Sequence, residues 1–220
     1  MEIKSLSEIV LDGIDLVLLD LDNTLYEYKR CHEKALQTIV ETMSVHFGLE
    51  QEQVKMLYME HRKFVNKWHH GTAASHSRLF YLQAMIEGLC NTTDIDLISS
   101  LYKSYWDVFI DKMILFQDAQ HFLDTCLYKS IPIVLVTDMT AEVQFKKIQK
   151  LNIEKYFQFI VTSEEVGVEK PDPSIFEWAI GKADTIIDEI RNIVVVGDDL
   201  KKDIFQSLDY TVSTYFLNRE

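Results

Sequence analysis

Residues 16–25 read LVLLDLDNTL, a run of four aliphatic residues that stops at an aspartate. A run with no polar position on either face is typical of a strand buried on both sides in a parallel sheet. Polar side chains begin where this predicted strand ends, because Asp20, Asp22, Asn23 and Thr24 follow at once. Ligands of open parallel sheets bind at the carboxyl ends of the strands, so the stretch predicts both a fold and the place of a site.

Further apolar runs have the character of strands. Together with Leu16–Asp20, the predicted strands are Ile133–Thr137, Phe159–Thr162, Ile193–Gly197 and Val212–Phe216. Amphipathic helical patterns lie between the later strands at Gln120–Lys129, at Ala141–Leu151 and from Pro173 to about Gly181. The predicted buried faces of the first two helices are Phe122, Leu123, Cys126 and Leu127, and Val143, Phe145, Ile148 and Leu151. Strands that alternate with helices predict an α/β fold with a parallel sheet.

One long stretch interrupts this alternation, because no strand pattern occurs between Glu27 and Lys112. It contains consecutive amphipathic helical patterns at His32–His46, Val54–Trp68, Arg78–Leu89 and Ile95–Trp106. We therefore predict a helical domain of residues 27–112, inserted into a core domain of residues 1–26 and 113–220.

The composition is that of a folded protein with a strongly acidic surface. Of 220 residues, 47% are hydrophobic and 26% are charged, and the formal net charge is −13. This charge disfavours nucleic acid and anionic membranes, both of which attract basic surfaces. The chain shows no apolar stretch long enough to cross a bilayer and no signal-peptide pattern. Cys31, Cys90 and Cys126 are scattered without a Cys-x-x-Cys pair, so we expect a cytoplasmic protein with reduced cysteines.

Residues that can take part in catalysis or in metal binding also follow the other predicted strands. Thr137 and Asp138 close the second strand, Lys170 lies beyond the third, and Asp198, Asp199 and Asp203 follow the fourth. If the strands are parallel, these side chains converge with Asp20 and Asp22 on one edge of the sheet. Carboxylates gathered in one crevice repel one another unless a cation neutralises them, and hard oxygen ligands suit Mg²⁺. The sequence therefore predicts a magnesium site beside a lysine.

These groups match what the transfer of a phosphoryl group requires. The reaction needs an in-line nucleophile, a proton donor for the leaving oxygen and cations on the equatorial oxygens. Asp20 can be the nucleophile, because a carboxylate can carry a phosphoryl group covalently, and Asp22 can give and later remove the proton. Lys170 and the Thr137 hydroxyl can hold the phosphate oxygens.

The short motifs of other kinds of binding and catalytic site are incomplete or absent in this sequence. Read as a calcium-binding loop that starts at Asp20, the sequence has Leu25 where a glycine is needed and Cys31 where a bidentate glutamate belongs. The chain contains no G-x-G-x-x-G dinucleotide motif, no Walker lysine loop and no G-x-S-x-G nucleophile elbow.

The order of these residues resembles the four signature motifs of the haloacid dehalogenase (HAD) superfamily, over essentially the whole chain. The match is carried by Asp20-Leu21-Asp22-Asn23-Thr24-Leu25, by Lys170-Pro171-Asp172-Pro173 and by Gly197-Asp198 through Asp203. The resemblance implies a Rossmann-like parallel sheet core with an inserted α-helical cap domain, whose closure excludes water and supplies substrate contacts. It implies that Asp20 is the nucleophile and Asp22 the general acid and base, with Thr137 and Lys170 as phosphate ligands. By the same resemblance Asp20, the Asp22 backbone carbonyl and Asp198 (rather than the adjacent Asp199) hold Mg²⁺, with Asp203 in support.

The resemblance favours a capped phosphatase that acts on a small phosphate monoester, such as a sugar phosphate or a nucleoside monophosphate. Asp22 disfavours the dehalogenase branch, because a halide leaving group needs no proton. A phosphomutase uses the same two aspartates and stays open as an alternative, as does a catalytically silent HAD-like binding protein. Either a monomer or a homodimer is compatible with the sequence.

Two groups of residues are candidates for contact with the substrate. In the loops of the predicted core they are Asn23, Thr24 and Asp138. In the helical insertion they are His69, His70 and Arg78, from its richest polar and aromatic stretch. For the second group, a solvated turn between two helices is the alternative interpretation.

Overall fold

The described part of the chain, residues 1–203, 205 and 209–219 of a computed structural model, contains a sheet of six parallel strands. The strands are β1 (Glu2–Ile3), β2 (Leu16–Leu19), β3 (Ile133–Thr137), β4 (Phe159–Thr162), β5 (Asn192–Gly197) and β6 (Thr211–Leu217). Their order across the sheet is β1-β6-β5-β2-β3-β4, and each neighbouring pair runs parallel. The predicted parallel α/β architecture is confirmed.

The strands that are buried along nearly their whole length, β5, β2 and β3, are neighbours inside the sheet and not at its edges. Every residue of β2 and of β3 is buried, as is β5 from Ile193 onward. β2 pairs with β5 from Leu16 opposite Ile193 to Leu19 opposite Val196. This register brings the carboxyl ends of the two strands level with each other, next to that of β3.

The described chain divides into two compact units. Met1–Glu27 and the described residues from Ile114 onward form one, here called the core unit, and Tyr28–Met113 form the other, here called the helical unit. The helical unit consists of α1 (Tyr28–Phe47), α2 (Gln51–Trp68), α3 (Arg78–Cys90) and α4 (Ile95–Asp111), with a 3₁₀ turn at Ala73–His76. Side chains cap two of these helices, since Ser77 accepts from the Phe80 N–H and Asp94 from the Leu97 N–H. That this unit acts as a cap stays a prediction.

Helices of the core unit connect its strands. They are α5 (Gln117–Tyr128), α6 (Ala141–Leu151), α7 (Ser163–Val166) and α8 (Pro173–Ala183). The predicted start of α8 is confirmed: the Asp172 side chain accepts from the Ser174 N–H at 3.0 Å, and Pro173 occupies the first turn. One face of α8 packs on the sheet, where Ile175, Phe176 and Ala179 join the buried strand residues in a single apolar cluster. No helix in the described ranges is both long enough and apolar enough to span a membrane.

The helix faces differ from the prediction at two positions. Phe145 on α6 and Leu127 on α5 are about half exposed, at 47% and 51%. On α6, Gln144 and Lys147 are fully buried with the aliphatic residues. The prediction relied on residue type, so it placed the phenylalanine in the core and did not name the glutamine and the lysine. The two-residue strand β1 was not predicted either.

Candidate active site

The site begins where β2 ends. The Asp20 N–H donates to the Val196 carbonyl of β5 at 2.9 Å, which holds the nucleophile candidate against the neighbouring strand. The chain then turns, with the Leu25 N–H donating to the Leu21 carbonyl at 3.0 Å. Asn23 lies inside this turn with a φ of 63°, a left-handed conformation that asparagine tolerates better than most residues. The turn keeps the polar residues at the carboxyl edge of the sheet.

Asp20 is a buried carboxylate with donors on both oxygens. Oδ2 accepts from the Thr24 hydroxyl at 2.9 Å, and Oδ1 accepts from the Lys170 ammonium at 2.6 Å. The same ammonium lies 2.6 Å from Oδ1 of Asp203. All three charged side chains are less than 10% exposed. Lys170 therefore bridges two carboxylates that come from different ends of the chain.

Three carboxylates meet at this point. One oxygen each from Asp20, Asp198 and Asp203 can be chosen so that all lie within 4.8 Å of one another. Burial raises the pKa of Asp20 well above its ordinary value; the ammonium of Lys170 opposes this, and the carboxylates of Asp203 and Asp198 add to it. Burial and the neighbouring Asp203 likewise raise the pKa of Asp198 to about 6. A single lysine thus leaves negative charge in excess, and a hard divalent cation fits both this charge and the all-oxygen donor set.

The turn after β5 fixes Asp203 in this cluster. Its Oδ2 accepts the Asp199 N–H at 3.0 Å, and a methyl group added to Gly197 would lie only 2.0 Å from that same oxygen. The Asp199 carboxylate accepts from the Lys201 N–H at 2.8 Å, so it caps its own turn. Of the two adjacent aspartates, Asp198 is the one that joins Asp20 and Asp203.

Asp22 has partners of its own, on the other side of the turn. The buried ammonium of Lys147 lies 2.7 Å from its Oδ1 and 2.9 Å from its Oδ2. The Tyr26 hydroxyl also donates to Oδ1, and the Gln144 amide donates to Oδ2 at 3.4 Å. Burial alone would raise the pKa of Asp22, but Lys147, Tyr26 and Gln144 together hold it below its ordinary value.

Thr137 and Asp138 close β3 in different ways. The Thr137 hydroxyl is buried and accepts from the Gln144 amide. Asp138 accepts from the Lys170 backbone N–H at 3.0 Å through Oδ1 and from the Lys202 ammonium at 2.7 Å through Oδ2. Asp138 therefore links the loop that carries Lys170 to the end of β3. These two contacts explain why an acidic residue occupies this position.

Sequence reasoning missed Lys147 and Gln144. The signal was available, because Val143, Gln144, Lys147, Ile148 and Leu151 follow the spacing of one helical stripe and are buried together. A buried polar side chain needs a partner, so polar positions inside an otherwise apolar helical stripe indicate a contact, and these two were not singled out from the sequence.

Most of the chain is similar to a known protein family. A family profile described as "Hydrolase: haloacid dehalogenase-like hydrolase" matches residues 14–205.

The chain belongs to the haloacid dehalogenase-like hydrolase family.

Two relatives described as phosphatases are similar to this chain along most of their length. The chain is 31% identical to a ribulose-1,5-bisphosphate 5-phosphatase of Halopiger xanaduensis, over 86% of this chain and 78% of the relative. It is 30% identical to a glyceraldehyde 3-phosphate phosphatase of Methanopyrus kandleri, over 87% of this chain and 78% of the relative. A solved HAD phosphatase from Thermococcus onnurineus superposes with a TM-score of 0.69 at 16% identity, over 92% of this chain and 93% of that one. The structural likeness shows the shared fold.

This HAD-like hydrolase thus brings Asp20, Thr24, Lys170, Asp198 and Asp203 into one cluster. Asp22 and Thr137 join it to α6 through Lys147 and Gln144. The Asn23 side chain forms a hydrogen bond with Asp198, so it contacts a member of the acidic cluster.

The remaining predicted residues belong to the helical unit, where they differ from one another. His69 and His70 are exposed, and the ring of His69 stacks on Phe80 with centroids 5.5 Å apart. Arg78 is buried. Its guanidinium carbon lies between 5.6 and 5.8 Å from four aromatic ring centroids, those of Tyr28, Tyr81, Tyr105 and Trp106.

Proposed function

We propose that this HAD-like hydrolase is a Mg²⁺-dependent phosphatase that hydrolyses a small phosphate monoester through an aspartyl-phosphate on Asp20. One observation carries the proposal: the buried Asp20 carboxylate has the Lys170 ammonium 2.6 Å from one oxygen and the Thr24 hydroxyl 2.9 Å from the other. These contacts fix its orientation, as a nucleophile requires, and they place a cation where an incoming phosphate needs one.

The first half-reaction uses the two aspartates of the turn. An oxygen of Asp20 attacks phosphorus, and the bond between phosphorus and the ester oxygen breaks. Asp22 gives a proton to the departing alkoxide; because Lys147, Tyr26 and Gln144 hold its pKa below the ordinary value, it must take up this proton from solvent before the step. Lys170 and the Thr137 hydroxyl bind the phosphoryl oxygens, which carry the charge of the transition state.

The second half-reaction restores the protein. Asp22, now a carboxylate, removes a proton from a water molecule, which attacks the phosphorus of the aspartyl-phosphate. The bond between phosphorus and the Asp20 oxygen breaks, so that inorganic phosphate leaves and Asp20 is a carboxylate again.

Asp20, Asp198 and the backbone carbonyl of Asp22 would hold the Mg²⁺ ion, supported by Asp203. When bound, the ion neutralises charge on the phosphate and on these carboxylates. The raised pKa values of Asp20 and Asp198 support this assignment, because burial, followed by the neighbouring carboxylates, disfavours their ionised forms and a divalent cation would favour them.

The substrate is expected to be a phosphorylated sugar or a similar small metabolite. This rests on the two relatives described as phosphatases of ribulose 1,5-bisphosphate and glyceraldehyde 3-phosphate. The net charge of −13 favours a small anion held by local positive charge over nucleic acid. We expect the protein to work in the cytoplasm, where its three cysteines stay reduced.

We further propose that the helical unit determines selectivity through His69, His70 and Arg78. The two exposed histidines permit a direct test. Replacing either with alanine is expected to raise KM for the true substrate and to leave kcat unchanged, and unchanged kinetics would remove that histidine from the proposal.

The proposed reaction is tested with p-nitrophenyl phosphate and a panel of ribose 5-phosphate, glyceraldehyde 3-phosphate and ribulose 1,5-bisphosphate. Turnover is measured with Mg²⁺, with chelator, and for Asp20→Asn. The matched control is Asp12→Asn, an exposed aspartate paired with Lys129. We expect turnover that needs the metal, survives Asp12→Asn and vanishes in Asp20→Asn. A wild type inactive on all four esters, or an Asp20→Asn variant as active as the wild type, would contradict the proposal.

A further inference from the structure

Lys147 is a fully buried lysine outside the family motifs that were read from the sequence. It lies on α6, and its ammonium contacts both oxygens of Asp22, at 2.7 and 2.9 Å. A buried ammonium is costly unless a carboxylate compensates it, and contact with both oxygens also limits rotation of that carboxylate. The Asp22 carboxylate is thus the charged partner of this buried lysine, whose ammonium also lies 3.7 Å from the Met139 sulfur.

The same helix holds the surroundings of Asp22. Gln144, one turn before Lys147, is also fully buried. Its amide donates to Oδ2 of Asp22 at 3.4 Å, to the Asp138 carbonyl at 2.8 Å and to the Thr137 hydroxyl. Helix α6 thus connects the turn after β2 with the end of β3, and Lys147 makes the charged contact in this connection.

We propose that Lys147 is a positioning residue for the acid–base step, and that it acts by fixing the direction in which the Asp22 carboxylate points. The inference rests on the proposed phosphatase function, since Asp22 must transfer a proton for the fixed direction to matter. Gln144 supports it by holding the second oxygen of the same carboxylate.

This role has a consequence that general destabilisation does not share. An alkyl phosphate releases a strongly basic alkoxide, which needs the proton from Asp22. p-Nitrophenolate is a weak base and leaves without it. Loss of the Asp22 orientation should therefore slow the alkyl ester and spare the aryl ester, because general acid catalysis contributes about 10²–10⁴-fold only where a proton is required.

The experiment compares kcat/KM for p-nitrophenyl phosphate with that for the best sugar phosphate of the panel, in Lys147→Met and Lys147→Arg. The ratio of the two values is measured on one preparation, so it does not depend on how much of that preparation is folded. We expect Lys147→Met to lower the alkyl value at least ~10-fold and the aryl value less than ~3-fold, a part of the full acid–base effect. Lys147→Arg keeps the cation and should recover part of the ratio.

The neighbouring lysine supplies a matched control. Lys146 lies on the exposed side of α6 and pairs with Glu142 at 2.6 Å. Lys146→Met should leave both values unchanged. If Lys147→Met lowers the alkyl and aryl values by the same factor, the positioning role is overturned while the proposed function stands. If the wild type hydrolyses none of the four esters, both are overturned.

A readout without substrate or metal tests the contact itself. Urea unfolding midpoints are compared for wild type, Asp22→Asn, Lys147→Met and the double variant. Asp22→Asn leaves a buried ammonium without its carboxylate, so it should lower the midpoint more when Lys147 is present than when methionine replaces it. An equal shift in both backgrounds would overturn the inference.

Discussion

The ammonium nitrogen of Lys170 lies 2.6 Å from Oδ1 of Asp20, although 150 positions of the chain separate the two residues. Both side chains are less than 10% exposed, so neither charge is compensated by water. Removing one partner of such a buried pair strongly lowers the stability of the protein, because the other charge is left buried and uncompensated. The lysine that should bind the substrate phosphate is thus also the counter-ion that allows the nucleophile to be buried.

Lys170→Met should therefore damage both stability and turnover. Asp20 and Asp203 would face each other without the cation between them, and the expected loss of unfolding free energy is about 3–5 kcal/mol in metal-free protein. Turnover should fall about 10²–10³-fold, as for other removed transition-state donors. Urea unfolding with chelator and p-nitrophenyl phosphate kinetics measure the two effects. Lys182→Met, which breaks the partly exposed pair with Glu165, is the control and should cost less than about 1 kcal/mol. Equal losses for the two variants would contradict the role of Lys170.

Gly197→Ala should displace Asp203. The added methyl carbon would lie 2.0 Å from Oδ2 and 2.6 Å from Cβ of Asp203, so the aspartate has to move out of the acidic cluster. We expect a loss of about 1–3 kcal/mol in unfolding free energy, together with weaker activation by Mg²⁺. Gly181→Ala is the matched control, since nothing lies within 4 Å of its added methyl group. Gly181 lies in the last turn of α8, which ends at Ala183, so this variant should stabilise the protein by at most about 0.5–1 kcal/mol. If the two alanine variants show similar changes in unfolding free energy and in activation by Mg²⁺, Asp203 moves aside without loss of stability, which contradicts the prediction.

The sequence was most informative where several physical requirements coincide in one short stretch. Residues 16–25 combine a doubly buried strand with a turn of acidic residues, and both the strand and the turn lie where that pattern predicts. The contacts between distant segments were less accessible. Nothing near Asp22 in the chain indicates that Lys147, 125 positions later, holds it, because the pairing depends on the direction in which α6 leaves β3.

Asp138 illustrates the same limit. From sequence it was a candidate substrate contact, since it directly follows Thr137 at the end of a strand. Its observed partners are the Lys170 N–H and the Lys202 ammonium. Both come from loops whose position depends on the folded sheet, so no local pattern could have named them.

Asp138→Asn tests whether this residue braces a loop or binds substrate. Asparagine keeps an oxygen for the Lys170 N–H but loses the ion pair with Lys202. We expect KM to change less than about threefold and the unfolding free energy to fall by about 1 kcal/mol or less, as is usual for pairs that are not fully buried. Lys202→Met should have the same effect, and the double variant should add little. A large rise in KM for Asp138→Asn alone would indicate a substrate contact instead.

Arg78→Met should act mainly by lowering the stability of the helical unit, and not by changing catalysis directly. The guanidinium donates to the His76 carbonyl at 2.6 Å and to the Tyr28 hydroxyl, and four aromatic rings surround it. Losing these contacts is expected to cost about 2 kcal/mol or more. Alanine variants of the exposed His69 and His70 should change stability by less than about 0.5 kcal/mol. Urea unfolding of the three variants measures these changes in stability. An Arg78→Met protein that is as stable as the wild type but has a raised KM would show that Arg78 contacts the substrate and does not stabilise the helical unit.

The stability of the helical unit should depend on pH through His32. Burial, with a smaller effect of Arg62, lowers the pKa of this histidine from 6.5 to about 4. The folded state then binds fewer protons than the unfolded state between these values, so the contribution is complete above pH 6.5 and is lost as the pH falls towards 4. Since one pKa unit corresponds to about 1.4 kcal/mol, the wild type should lose about 2 kcal/mol between pH 7.5 and 4.5 through this group.

His32→Asn isolates this effect. The asparagine amide can take the place of Nδ1, which lies 2.6 Å from the Tyr105 hydroxyl, but it does not titrate. Urea unfolding of both proteins at pH 7.5 and 4.5 gives four free energies. The difference between the two proteins should shift by about 2 kcal/mol in favour of the variant at the lower pH. Equal pH dependence would mean that His32 takes up its proton in the folded protein as readily as in the unfolded chain.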